Sequence, residues 1–211
     1  MPNRSTIVSG VNKAVEKLIK NFKDNPNHFF TENDLICALH RLIKDALGNE
    51  LIYRDNFLLH CEYPTPFKCD MSGYKFRYVA DNERHKRGHF DISIIDPSFI
   101  DTCGGDYQKI KAQHFSQFLT DRDANIQTRN PILLYAIELM FSRDPKRTRG
   151  CFRKSISQDA EKLRATKADK HVLANAKTLC FFHGNIPLDN EKWKVIQQNR
   201  LITLICSEEK S

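Results

Sequence analysis

No stretch of the 211 residues contains the run of about 18 apolar side chains that a membrane-spanning helix needs. Met1 to Gly10 carries no apolar core of secretory type, so the expected location is cytoplasmic. The seven cysteines, Cys37, Cys61, Cys69, Cys103, Cys151, Cys180 and Cys206, are scattered and form no CxxC pair. That argues against a structural zinc site and a disulfide framework and suits a reducing compartment. Internal repeats and low-complexity tracts are absent, and no linker is long enough to divide the chain. The phosphate-binding glycine loops of nucleotide enzymes and the GxSxG elbow of serine hydrolases are also missing.

What is present is an ordinary globular balance, 40% hydrophobic and 28% charged residues, enough for one domain with a real core. The net charge of +7 is concentrated. Arg143, Lys146, Arg147, Arg149, Arg153 and Lys154, set against Asp144, put +5 into residues 143–154. A second small basic run is Arg84, Lys86 and Arg87. Two readings stand: a solvated basic loop, or a grip on a polyanion that gains affinity by releasing counterions.

Periodicity predicts a short helix over about 11–22, broken by Asn25-Pro26-Asn27. A clearer helix follows Thr31, a natural N-cap with Asp34 three residues on. Leu35, Ile36, Leu39, Leu42 and Ile43 form its apolar face, and Gly48 ends it. A strand is expected from Phe57 to Tyr63, stopped by Pro64 and Pro66, and a hairpin arm over Tyr74–Val79. His89–Ile95 and Ile132–Phe141 read as further strands, the second apolar enough to lie centrally. Residues 98–130 read as an insertion with one helix near 107–119. After a basic loop at 143–154 come a helix over about 155–170, a strand at 177–183, a helix at 189–199 and a strand at 201–206. The predicted architecture is one α/β domain over 1–211, a mixed sheet between helical layers.

Two carboxylates sit where apolar residues are expected: Asp91 in GHFDISII and Glu138 in ILLYAIELMF. A carboxylate buried in a strand is costly unless it is paired or binds a metal. Two of them on neighbouring central strands make an oxygen site suited to Mg2+. The competing reading is strand-end residues paired with Arg or Lys.

With these residues in place, Glu32 to Phe182 resembles the PD-(D/E)XK, or restriction-endonuclease-like, nuclease superfamily, whose core runs α-β-β-β-α-β. The resemblance rests on the element order, on Asp91 in GHFDISIIDP and on Glu138 in AIELMF, and covers about 150 residues. It implies a nuclease using Mg2+ or Mn2+ at Asp91 and Glu138, with Glu32 as the acid often found early in the first helix. Nucleic acid, DNA foremost, is the implied partner, gripped by Lys146, Arg147, Arg149, Arg153, Lys154 and Arg87. A homodimer or a place in a larger complex stays open. Glu32 also suits the helix N-terminus by charge alone.

One residue departs from the pattern. The family places Lys two residues after the Glu; this chain has Met140. Lys162 on the following helix is a candidate replacement. With Ile156 at zero and 100° per residue, Lys162 falls at about 240° and Asp159 at about 300°, flanking the stripe of Ala160 and Leu163. The plain alternative is a surface ion pair between Asp159 and Lys162. Gln158 lies further round. Met140 also admits a second function: a degenerate nuclease fold that binds nucleic acid or a protein partner and cuts nothing. His60 and Glu62 share a strand face, so Glu62 is either a third acid near the site or a polar strand edge. His85 and His89 are spaced four apart but flank a loop, a weak zinc signal.

Overall fold

The computed structural model describes residues 1–70, 77–79, 87–105, 131–143, 150–168, 172–186 and 191–207. The first helix, α1 (Arg4–Asp24), starts well before the predicted residue 11. The Asn3 side chain caps it by accepting from the Ser5 and Thr6 amides, and Ile7 extends the buried stripe of Val11, Val15, Leu18 and Phe22 backward. The helix α2 (Glu32–Leu47) has a full capping box, Thr31 accepting from the Asp34 amide while Asp34 accepts from the Thr31 amide. The two helices cross closely at Gly10, where a Cβ would press on the Leu47 side chain and force it to shift.

A two-stranded hairpin, β1 (Ile52–Tyr53) and β2 (Asn56–Phe57), turns through Arg54 and Asp55, both with positive φ. The strand β3 (Leu59–Asp70) does not stop at Pro64 and Pro66 as expected. Its register against β5 slips between Pro64 and Lys68, and the irregularity accommodates residues that cannot donate to a ladder. Next come β4 (Arg77–Val79), β5 (Arg87–Ile95), the short helix α3 (Pro97–Thr102) and β6 (Leu133–Ser142). The helix α4 (Gly150–Ala168) leads to β7 (Leu173–Phe182), then α5 (Glu191–Gln197) and β8 (Ile202–Cys206). The helix α4 therefore begins inside the span predicted as a basic loop, and Arg153 and Lys154 lie on it. Lys146, Arg147, Arg149, His85 and the helix expected near 107–119 lie outside the described residues.

The strands form one mixed six-stranded sheet in the order β4-β3-β5-β6-β7-β8, antiparallel up to β6 and parallel from β6 to β8. The parallel half follows from the α4 and α5 crossovers. Alternation along β6 and β7 divides the faces. Phe141 and Phe181 meet Phe22 of α1, while Met140, Cys180 and Phe182 pack with Ile156 and Ala160 of α4 and Trp193 of α5. The protein is thus a mixed α/β sheet with helices on both faces. Among the described residues no helix is long and apolar enough to cross a membrane, and the described cysteines form no disulfide.

Candidate active site

The β5–β6 ladder pairs Ile92 with Ile137 and Ser93 with Ala136. Asp91 and Glu138 are the next residues on this register, just past the last ladder pair, where the Leu139 amide donates to the Asp91 side chain. Directly opposed residues share a face, with Cβ atoms about 4.5–5.5 Å apart. The same register logic on the other side puts Glu62 of β3 opposite Asp91, between the pairs Cys61–Ile92 and Tyr63–Phe90. Three acids thus cross three adjacent strands in a row. Glu62 has φ of 52°, a left-handed backbone unusual for glutamate.

The row is closed from α4. The Lys162 ammonium lies 2.6 Å from Glu138 Oε1 and 3.3 Å from Asp159 Oδ1. It also donates to the His89 carbonyl at 2.8 Å and sits 5.7 Å from the Phe90 ring centroid. Asp91 is fixed by the Leu139 amide, which donates to its Oδ2 at 2.6 Å. Glu32, although an exposed residue, turns its carboxyl end inward to accept from the Phe141 amide on β6. The edge-of-stripe position read from the helix wheel is therefore where Lys162 meets Glu138, and Asp159 joins the same group.

Charge is unbalanced here. Burial pushes Asp91 up to about 6, opposed by the Leu139 hydrogen bond and Lys162. Burial, then the charges of Asp91 and Asp159, pushes Glu32 up to about 7, with solvent at its exposed side tempering the effect. Burial also raises Glu138 well above the ordinary carboxylate range, and Asp159 more modestly. For Lys162, burial alone would depress the pKa, but Glu138, Asp159 and Asp91 together hold it above the usual lysine value. The ammonium stays charged, and any protons the group retains sit on carboxylates. Among the described residues three acids, Glu138, Asp159 and Asp91, act on this one cation, and Glu32 adds its charge beside Asp91 and Asp159.

Met140 follows Glu138 on the same face and is buried under α4 by Ile156 and Ala160. The position that holds lysine in the resembled family is here part of a hydrophobic cluster. Thr178 of β7 pairs with Glu138, is fully buried, and its hydroxyl finds no partner among the described residues. No local signal marks Thr178, because only the β6–β7 register brings it to the site.

The other candidates are dispersed. Arg153 lies 5.8 Å from the Trp193 ring centroid, so part of its side chain is committed to packing. Lys154 and Gln158 are half-buried on α4, and Arg87 opens β5. His89 is exposed on β5 and contributes its carbonyl to Lys162. Among the described residues no three His, Cys, Asp or Glu side chains converge as metal ligands. The Asp91–Glu138 pair nevertheless fits a hard divalent ion: its donors are all oxygen, and the surrounding acid exceeds the available positive charge. Comparison of the chain with protein-family models, curated proteins and solved structures finds no match.

Proposed function

We propose that the chain is a restriction-endonuclease-like, PD-(D/E)XK-type phosphodiesterase that hydrolyses nucleic acid, DNA foremost. The observation that carries this reading is the cross-strand pair Asp91–Glu138 with Lys162 set against Glu138. Asp91 and Glu138 would hold Mg2+ or Mn2+, and Glu32 would hold the attacking water by a hydrogen bond. Bound there, the ion would stabilise phosphate charge as a Lewis acid and lower the pKa of water. Lys162 keeps its proton, so it donates hydrogen bonds and positive charge to water or phosphate; it does not act as a base. Thr178, paired with Glu138 across the β6–β7 ladder, would offer that carboxylate a hydroxyl that has no partner among the described residues. The cationic residues Arg87, Lys146, Arg147, Arg149, Arg153 and Lys154 supply sequence-independent attraction to the backbone.

The test is cleavage of plasmid and single-stranded DNA with Mg2+ or Mn2+, comparing wild type with Glu138→Gln. Metal-dependent cutting that Glu138→Gln abolishes is the expected result. A second reading, a nuclease fold that binds without cutting, is favoured by Met140 standing where the motif lysine belongs. Binding of DNA with no cleavage under either ion would select it.

A further inference from the structure

Phe30 is a large aromatic side chain left 58% exposed two residues before Glu32. The Arg143 guanidinium lies over its ring, 4.9 Å from the centroid. Both residues are held by the site itself. Phe30 is two residues before Glu32, and its amide donates to Asp34 in the α2 capping arrangement at 2.8 Å. Arg143 is two residues after Phe141, whose amide holds Glu32. Two residues span at most about 7 Å of chain, so Phe30 lies within that reach of Glu32, and Arg143 within it of the Phe141 backbone that holds Glu32. Among the described residues Arg143 makes no ion pair, so its charge is unneutralised, and the guanidinium extends the aromatic surface of Phe30.

An exposed ring and a guanidinium plane on rigid backbone are the two surfaces on which nucleobases stack. We propose that Phe30 and Arg143 form a nucleobase platform that makes the site prefer an unpaired nucleotide next to the bond it cuts. This rests on the nucleic-acid reading above and specifies its substrate: single strands, frayed ends or flaps over closed duplex. The reason is steric, because a base inside a duplex has both faces covered by its neighbours. Arg143 adds attraction for the adjacent phosphate, which a purely apolar patch would lack. A bare structural cation–π contact would hold the same two residues together but would not distinguish single from double strands.

The experiment measures binding of a fluorescent single-stranded oligonucleotide and its duplex to the full chain with Ca2+ present, together with cleavage under Mg2+. Phe30→Ala is expected to weaken single-strand binding about 5- to 150-fold relative to any change on duplex, the worth of one stacked base. Phe30→Trp should retain the preference, and Arg143→Lys, which keeps charge but loses the plane, should lose part of it. A 2-aminopurine placed near the cleavage site should be quenched by wild type and not by Phe30→Ala. Equal effects of Phe30→Ala on both substrates, or none, would overturn the platform; cleavage abolished by Glu138→Gln would then leave the nuclease reading standing. Selective loss of single-strand binding in a protein that never cuts would keep the platform and remove the nuclease. Failure of wild type to bind either substrate would remove both.

Discussion

Lys162 is the residue on which the site turns. Its ammonium is nearly buried, which by itself disfavours charge, yet it lies against Glu138 and Asp159 and near Asp91. Removing one partner of a buried pair leaves the other uncompensated. Lys162→Met, which keeps most of the packing against Phe90, is expected to lower cleavage by about 10²–10³-fold, the worth of a lost donor to developing charge. It also drives Glu138 further toward its protonated form, so the loss should be partly recovered at higher pH if the lysine acts only by positioning charge. Assays of rate against pH check this, and cutting at the wild-type rate would remove Lys162 from the machinery.

At the scale of elements, the packing of α4 on β6 explains why Met140 stands beside Glu138. The even-numbered face of β6 runs under Ile156 and Ala160, so a lysine at 140 would place a second ammonium in an apolar cluster already near Lys162. Met140→Lys is therefore expected to destabilise the fold by about 1–3 kcal/mol, because its ammonium loses hydration in an apolar cluster while Lys162 already occupies Glu138. It should not raise activity. Urea unfolding of the variant checks this; stability unchanged together with faster cutting would mean that Lys162 does not fill the role. The β3 strand teaches a related point. Proline normally ends a strand, but a register slip against β5 lets this one continue to Asp70.

Across the whole molecule, the acid row sits inside a protein of net charge +7. The local surplus of acid has a measurable consequence without metal. Asp91 and Glu32 have folded pKa values, about 6 and about 7, above those of unfolded carboxylates. Between the two values the native state holds more protons than the unfolded one, so stability falls as pH rises from about 4 through 7 and stays lower above it. Mg2+ should restore stability most at high pH, where it need not displace protons. The melting temperature at about pH 5 and about pH 8, with and without MgCl2, reads both effects, each kcal/mol moving it by about 2–4 °C. Asp91→Asn and Glu32→Gln should each raise the metal-free value at the higher pH, and Asp91→Asn should also abolish the Mg2+ response. No Mg2+ response in wild type at that pH would remove the metal site.

Local patterns in the chain determined what depends on neighbours in sequence. Thr31 with Asp34 set the start of α2, and apolar alternation with two misplaced acids marked β5 and β6. The helical angle of Lys162 put it at the edge of the buried stripe. Tertiary structure decided what depends on pairing between distant segments. Only the β3–β5–β6–β7 register lines up Glu62, Asp91, Glu138 and Thr178, because each strand alone says which residues share a face and not which lie opposite. The early start of α1 was hidden because Asn3 begins the helix in a polar stretch, and its apolar pair Ile7 and Val8 is too short to show a helical period before it meets the core. The contact of Arg143 with Phe30 was hidden for the same reason: their segments are remote in the chain, and the ring is covered only where β6 ends beside the start of α2.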